Sequence, residues 1–134
     1  MTELEMTQME AAIKDRLVTG FKNWNGGYEC WLEWCNTLYD DQSIYNVYGH
    51  RLTLKQYQDM MGDLFKKQDI ELGQFHNMII QGEWCAIRYD VHTIDKATGK
   101  RNTQESMEFV KFKKTPTGVK VDEGWATSTA PLHG

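Results

Sequence analysis

The sequence predicts an α+β fold in which three helices pack on one face of a curved, mainly antiparallel sheet. Three observations lead to this prediction. The first half of the chain carries apolar residues at helical spacing, the second half reads as four long strands separated by turns, and a short strand pair interrupts the helices. Helices followed by a run of antiparallel strands are typical of α+β domains, in which the helices cover one face of the sheet.

The helices are predicted from apolar periodicity and from one capping signal. The first runs from about Leu4 to Phe21, and the second spans residues 28–39 with a wide aromatic face. Thr53 and Gln56 form a capping-box pattern, which predicts that a third helix begins there. The stripe of the first helix consists of Met9, Ile13, Leu17 and Phe21.

The strands are predicted from alternating and β-branched stretches bounded by turn residues. A short pair is centred on Gly49, and the four late strands span about residues 70–81, 83–94, 101–114 and 119–128. Glycine-containing turns separate them.

Length and charge limit the classes of function. The 134 residues suit one domain, 1–134, with a core of about 4–128 and a frayed tail at 129–134. The net charge of -4 argues against a nucleic-acid or anionic-membrane partner. No apolar run reaches transmembrane length, and the acidic, amphipathic N-terminus is not a signal peptide. The three cysteines, without a C-x-x-C pair, suit a reducing cytosol, so a cytoplasmic location is expected.

Hairpin parity predicts which residues face the helices. If a two-residue loop contains Gly82, His76 shares the apolar face with Tyr89, and the same reasoning for the last hairpin puts Glu108 and Glu123 on that face. A β-bulge or a one-residue slip would exchange the faces and would direct attention to Asp90 and His92 instead. The expected pocket wall comprises Trp31, Trp34 or Cys35, Tyr57, Met61, Tyr89 and Trp125.

His76 is the leading candidate for acid–base chemistry because histidine titrates near neutral pH. Glu108 or Glu123 could orient it, and Tyr89 lies opposite or diagonal to it. The competing interpretation is a core histidine bonded to a tyrosine or to the backbone. Asp40 could line the rim of the pocket, although a helix end entering a turn explains it as well. The spacing of Cys30 and Cys35 does not suit a zinc site, and neither a metal nor a cofactor is expected.

The opposite face is expected to form a homodimer interface. Trp84, Arg88, Asp90 and His92 lie on it in the predicted register. A large aromatic residue on a face that the helices do not cover indicates burial by a second subunit.

Three stretches resemble the nuclear-transport-factor-two-like superfamily, especially its SnoaL-like polyketide cyclase branch. They are LYDDQSIYNVYGHRLTLKQYQDMMGDLF, GEWCAIRYDVHT and TPTGVKVDEGW. The resemblance rests on the order of the elements over roughly residues 28–125. It implies a cone-like fold, a hydrophobic pocket at one end, and relatives that include isomerases, dehydratases, cyclases and non-catalytic binding proteins.

The resemblance also bears on individual residues. Where isomerase-like members have a general-base aspartate, this chain has Asn46, and Gly124 stands where cyclase-like members often have a polar residue. Dehydratase-like members combine histidine, aspartate and tyrosine, which here could be His76, Asp40 and Tyr45 with Tyr89.

Two functions are therefore expected from the sequence. One is a cofactor-independent cyclase, isomerase or dehydratase that acts on a small hydrophobic molecule. The other is a non-catalytic ligand-binding or dimerisation module with the same pocket. A polar group set in the pocket favours the enzyme, whereas an all-apolar pocket favours the binding module.

Overall fold

The computed structural model describes residues 1–21 and 24–129, in which three helices pack on a six-stranded sheet. In chain order the elements are α1 (Glu3–Phe21), α2 (Tyr28–Leu38), β1 (Tyr39–Val47), β2 (His50–Thr53), α3 (Leu54–Lys67), β3 (Gln68–Gln81), β4 (Trp84–Asp95), β5 (Arg101–Thr115) and β6 (Gly118–Ser128). The predicted α+β fold class is confirmed. Residues 130–134 of the predicted tail lie outside the described residues.

The sheet has the strand order β2-β1-β6-β5-β4-β3. All neighbouring strands are antiparallel except β1 and β6, which are parallel. The last four strands form a meander, and β1 joins its far edge next to β6. One mixed, open sheet therefore provides an inner face, which the helices cover, and an outer face.

The helices follow the sequence signals closely. Met9, Ile13 and Leu17 of α1 are buried, as the apolar stripe predicts, whereas the side chain of Phe21 lies outside the described residues. At the start of α3 the capping box is complete: Gln56 N–H donates to Thr53 Oγ1 at 3.2 Å, and Thr53 N–H donates to Gln56 Oε1 at 2.9 Å. These two bonds satisfy donors that the first turn of a helix otherwise leaves unpaired.

The β3–β4 hairpin has the predicted two-residue loop. Gln81 pairs with Trp84, and Gly82 occupies the loop at φ 60, a conformation that favours glycine. Alternate residues of β4 face the helices and are buried: Cys85, Ile87, Tyr89 and Val91. The predicted inner face of β4 agrees with the structure.

An irregularity in β3 makes the prediction for His76 wrong. Phe75 pairs with Tyr89, but Asn77 pairs with Arg88, so His76 is an extra residue between the two pairs. The bulge turns Phe75 inward, where its ring lies 5.3 Å from that of Tyr89. It turns His76 outward, where Nε2 lies 2.8 Å from Asp90 Oδ1.

A second irregularity, in β6, corrects the predictions for Glu123 and Trp125. Lys111 pairs with Glu123, but Phe112 pairs with Val121, so β6 has one extra residue at this point. Beyond it the faces exchange. Gly124 lies against the Tyr45 ring on the inner face, and Glu123 and Trp125 turn outward.

The outer face carries an exposed aromatic cluster. Trp84 stacks on Phe109 at 5.0 Å between ring centroids, and Trp125 lies 6.2 Å from Trp84. Trp84 therefore lies on the predicted face. Among the described residues, no helix combines the length and the apolar character that crossing a membrane requires.

Candidate functional site

A small cavity lies between the inner face of the sheet and the helices. Its lining residues are Trp24, Tyr45, Val47, Tyr48, Tyr57, Met60, Met61, Leu64, Ile70, Tyr89, Val91, Gln104, Ser106, Glu108, Ala126, Thr127 and Ser128. The enclosed volume is about 40 Å³, which is enough for a few water molecules. Thr127 is exposed and Ser128 is half-buried, so the mouth lies near the end of β6.

Glu108 is the polar centre of this cavity. It faces inward from β5 because it pairs with the inward-facing Ile87. Two tyrosine hydroxyls donate to the same oxygen: Tyr89 Oη lies 2.5 Å and Tyr45 Oη lies 3.2 Å from Glu108 Oε1. No described residue donates a hydrogen bond to the second oxygen, Oε2, so that atom can meet a ligand.

Burial sets the protonation of these groups. The pKa of Glu108 is raised from its ordinary value because the carboxylate loses solvation, and the hydrogen bonds from Tyr89 and Tyr45 oppose part of this rise. Burial also raises the pKa values of Tyr45, Tyr57 and Tyr89 well above the usual tyrosine value. These tyrosines therefore remain hydrogen-bond donors at neutral pH, while Glu108 can exchange a proton nearer to neutrality than an exposed carboxyl group does.

Gln104 provides a further polar group at the cavity. Its Nε2 is buried and has no hydrogen-bond partner among the residues that the structure describes. A buried amide without a partner is costly, so a ligand oxygen at this position would satisfy it. The site thus combines a carboxyl group of raised pKa with an available amide donor inside a mainly apolar wall.

Five of the residues predicted for the site line the cavity. They are Tyr45, Tyr57, Met61, Tyr89 and Glu108. Tyr45 and Tyr57 stack with ring centroids 4.1 Å apart, and Met61 follows Tyr57 by one turn of α3. Helical spacing and strand parity predicted four of them, and Tyr45 was expected only from the resemblance to dehydratase-like members.

The α2 residues predicted for the pocket wall belong to the packed core instead. Trp31 and Cys35 are completely buried, and Trp34 stacks on Trp24 with ring centroids 5.5 Å apart. Burial raises the pKa of the Cys35 thiol to about 12, so it stays protonated. None of the three lines the cavity, because other aromatic side chains lie between α2 and the open space.

Other predicted site residues lie at the surface. Asp40 binds Lys113 Nζ at 3.0 Å, and this hydrogen bond is the main reason that its pKa is lowered. Glu123 accepts from Asn46 and Arg51 on the outer face, which lowers its pKa as well. Trp125 belongs to the outer aromatic cluster.

Asp90 and His92, the alternative to His76 in the predicted site, also lie outside the cavity. Asp90 binds His76, and His92 Nδ1 lies 2.8 Å from Thr103 Oγ1. The extra residue lies in β3 and β4 stays regular, so the bulge moves His76 outward without bringing Asp90 or His92 inward. His76, Asp90 and Glu105 form a separate group of possible metal ligands, all on the outer face.

Several lining residues were not predicted. Gln104 and Ser106 precede Glu108 by four and two positions on β5, so the alternation that placed Glu108 also applies to them. Trp24 has no comparable signal because it lies in the irregular segment before α2. Ile70 stands at the start of β3, where a single apolar residue does not reveal which face it occupies.

Comparison with solved structures shows that the chain has the nuclear-transport-factor-two-like fold. A putative SnoaL-like polyketide cyclase from Jannaschia sp. CCS1 matches with a TM-score of 0.71 and 10% identity, over 90% of this chain and 88% of that one. A ketosteroid isomerase-like protein from Erwinia carotovora atroseptica matches with a TM-score of 0.59 and 16% identity, over 97% and 100%. AclR, a putative hydroxylase from Streptomyces galilaeus, matches with a TM-score of 0.66 and 15% identity, over 92% and 79%.

The likeness lies in the structure rather than in the sequence. No family model matches the chain, and the search of curated proteins found no significant match. At these identities the neighbours establish the fold, and the function has to be argued from the site.

Proposed function

We propose that the cavity binds the oxygen-bearing end of a small hydrophobic molecule and that Glu108 transfers a proton there, without a cofactor. The observation that carries the proposal is a carboxyl group of raised pKa, held by Tyr45 and Tyr89 at the centre of a mainly apolar cavity. A carboxyl group tuned towards neutral pH suits general acid–base catalysis. The reaction class is that of a cyclase, isomerase or dehydratase.

The arrangement supports a balanced proton-transfer step on a carbonyl compound. The Glu108 carboxylate takes a proton from the carbon next to the carbonyl, and the C–H electron pair moves to form the enolate. The amide of Gln104 can donate to the enolate oxygen, where charge develops. Return of the proton from Glu108 to a different carbon would complete an isomerisation. The enclosed volume accepts only the reacting end of a ligand, and the remainder would extend through the mouth.

Proton exchange on a model ketone tests this proposal. Cyclohexenone in D2O is followed by NMR for loss of the protons next to the carbonyl. We expect the protein to accelerate this exchange and Glu108→Gln to lose the acceleration by about 100-fold or more, because the amide cannot take the proton. Glu123→Gln is the matched control, since Glu123 lies on the outer face, and it should keep the activity.

The result also separates the proposal from the second candidate, a non-catalytic binding module. The apolar wall supports this alternative as well. Saturation-transfer NMR detects whether cyclohexenone binds. Binding that depends on an intact cavity, without accelerated proton exchange, would favour the binding module. If the protein shows neither binding of cyclohexenone nor accelerated exchange, both functions are contradicted.

We further propose that the outer face joins two copies of the chain. An open groove of about 620 Å³ crosses this face, and its apolar lining includes Ile79, Met107, Phe109 and Trp125. Ile79 is 66% exposed, which is unfavourable for a large apolar side chain unless another surface covers it. Polar side chains also line the groove, among them Asn46, Asn77 and Arg88, so a twofold contact between two copies can include hydrogen bonds as well as apolar packing.

The proposed location remains the cytoplasm. The three cysteines are free thiols in the structure, and Cys30 is exposed. Exposed free thiols suit a reducing compartment.

A further inference from the structure

We propose that the outer face holds a binding site for a divalent transition-metal ion such as Zn²⁺, with His76, Asp90 and Glu105 as its ligands. The three residues come from three adjacent strands, β3, β4 and β5. One ligand atom from each lies within 4.8 Å of the others. This site is independent of the inner cavity and of Glu108.

The β3 bulge creates the site. Regular pairing would direct His76 towards the helices, but the extra residue turns its ring outward onto Asp90. Asp90 and Glu105 are directly paired across β4 and β5, so their side chains already stand side by side. The bulge therefore adds an imidazole to two neighbouring carboxylates, a purpose that β-bulges beside functional sites commonly serve.

The geometry is close to that of a coordinated ion. Ligand atoms bonded to one Zn²⁺ ion at about 2.1 Å lie roughly 3 to 3.5 Å from one another. His76 Nε2 and Asp90 Oδ1 are 2.8 Å apart, and their side chains are 25% and 24% exposed. The Glu105 side chain is 31% exposed, and one of its carboxylate oxygens lies within 4.8 Å of the other two ligand atoms. Exposure on this scale leaves water to fill the remaining coordination positions.

Gly73 leaves room on the β3 side of the site. A Cβ atom at this position would stand 2.9 Å from Asp90 Cβ and 2.5 Å from His92 Nε2. A larger residue would therefore press on the Asp90 side chain.

The positive charge of Arg88 opposes a cation bound at this site. Arg88 Nη1 lies 2.9 Å from Glu105 Oε2, while its Nε donates to Asn77 Oδ1 at 2.8 Å. An ion would share Glu105 with this guanidinium. Removal of the Arg88 charge should therefore strengthen metal binding severalfold, whereas it should weaken any anion bound at the same place.

The donor set selects the class of ion. Imidazole suits Zn²⁺ and its transition-metal neighbours, whereas Mg²⁺ prefers oxygen ligands and keeps its waters. We expect Zn²⁺ to bind at least about tenfold more tightly than Mg²⁺. Equal affinities would contradict a site that includes His76.

Calorimetric titration of the full chain with Zn²⁺ tests the site. The protein is first stripped with a chelator and carries Cys30→Ser, which removes the exposed thiol as a competing ligand. We expect one Zn²⁺ ion per chain, with affinity reduced about tenfold or more in each of His76→Ala, Asp90→Asn and Glu105→Gln. His92→Ala removes a nearby histidine of the same face and should bind Zn²⁺ as well as the parent.

Circular dichroism of each variant shows whether a lost site reflects a lost fold, and these surface substitutions should leave the spectrum unchanged. The proposal is overturned if Zn²⁺ does not saturate the parent, or if the folded ligand variants bind it equally well. It is also overturned if His92→Ala loses the site. A stoichiometry of one ion per two chains would place the ligands in two copies and would contradict a complete site within one chain.

Discussion

Glu108 is held in a chemical environment that favours its neutral form. Burial raises its pKa, and two tyrosine hydroxyls on Oε1 recover part of the lost solvation. Burial of a carboxylate in an apolar cavity lowers stability, and the hydrogen bonds from the two tyrosines offset only part of this cost. The proton transfer proposed for Glu108 makes use of this raised pKa.

The raised pKa of Glu108 predicts a specific pH dependence of stability. A carboxyl group whose pKa is higher in the folded state stabilises the fold at low pH. That contribution is lost as the pH rises from the ordinary carboxyl value through the raised folded value, with a slope of at most about 1.4 kcal/mol per pH unit. Glu108→Gln cannot ionise, so it should gain stability relative to the parent across this window. Urea unfolding of both proteins between about pH 4 and pH 8 measures the difference, and parallel profiles would contradict the raised pKa.

The two tyrosines should contribute unequally to the hydrogen bonds of Glu108. Tyr89 Oη lies 2.5 Å from the carboxylate and Tyr45 Oη lies 3.2 Å from it. Tyr89→Phe should therefore lower the free energy of unfolding by about 1 to 3 kcal/mol, and Tyr45→Phe by less. Chemical denaturation at neutral pH compares them. The reverse order would show that Tyr45 is the stronger partner in solution.

At the level of elements, the capping box fixes where α3 begins. Both of its hydrogen bonds are present, and Thr53 is exposed, so little packing is lost when its hydroxyl is removed. Thr53→Ala should lower the free energy of unfolding by about 1 kcal/mol. Lys55→Ala is the control on the same turn, because its ion pair with Asp59 is largely exposed and such pairs contribute little. Equal losses in the two variants would contradict the cap.

Gly73 should be intolerant of a side chain because β3 and β4 approach closely there. A Cβ would lie 2.9 Å from Asp90 Cβ, an atom that cannot rotate away. We expect Gly73→Ala to destabilise the protein by about 1 to 3 kcal/mol. Gln74→Ala, at the exposed neighbouring position, should have little effect. Thermal unfolding of both variants is the measurement, and an unchanged Gly73→Ala would show that the strands can separate at this point.

The two bulges explain how far the site could be predicted from the sequence. Parity counted from the turns placed Tyr89 and Glu108 correctly, because β4 and the nearby part of β5 are regular. The same count failed for His76, which is itself the extra residue in β3, and for Trp125, which lies beyond the extra residue in β6. A bulge changes the pairing by one position but leaves no reliable mark in a single sequence, so every assignment beyond it is exchanged between faces.

At the scale of the whole molecule, the sheet separates two sets of groups. The inner face carries the cavity with Glu108, and the outer face carries the aromatic cluster and the His76–Asp90 pair. Trp84 and Asp90 are six positions apart on β4, a span of roughly 20 Å. The proposed dimer contact and the proposed metal site can therefore occupy different parts of one face.

The dimer proposal predicts that charge on the outer groove produces a monomer. The parent should sediment as a dimer at concentrations on the order of 10 µM, because dimerisation buries the aromatic cluster and the apolar side chains around it. Ile79→Glu combined with Met107→Glu places two like charges on each copy, and a twofold contact brings all four together. Both side chains are exposed, so the substitutions should leave the fold intact. Val18→Glu is the matched control: Val18 is a 46% exposed apolar residue on α1 that does not line the groove, and this variant should remain a dimer. A monomeric parent would contradict the dimer. A dimer that survives the double substitution while Val18→Glu dissociates would place the interface on the helices instead of the sheet.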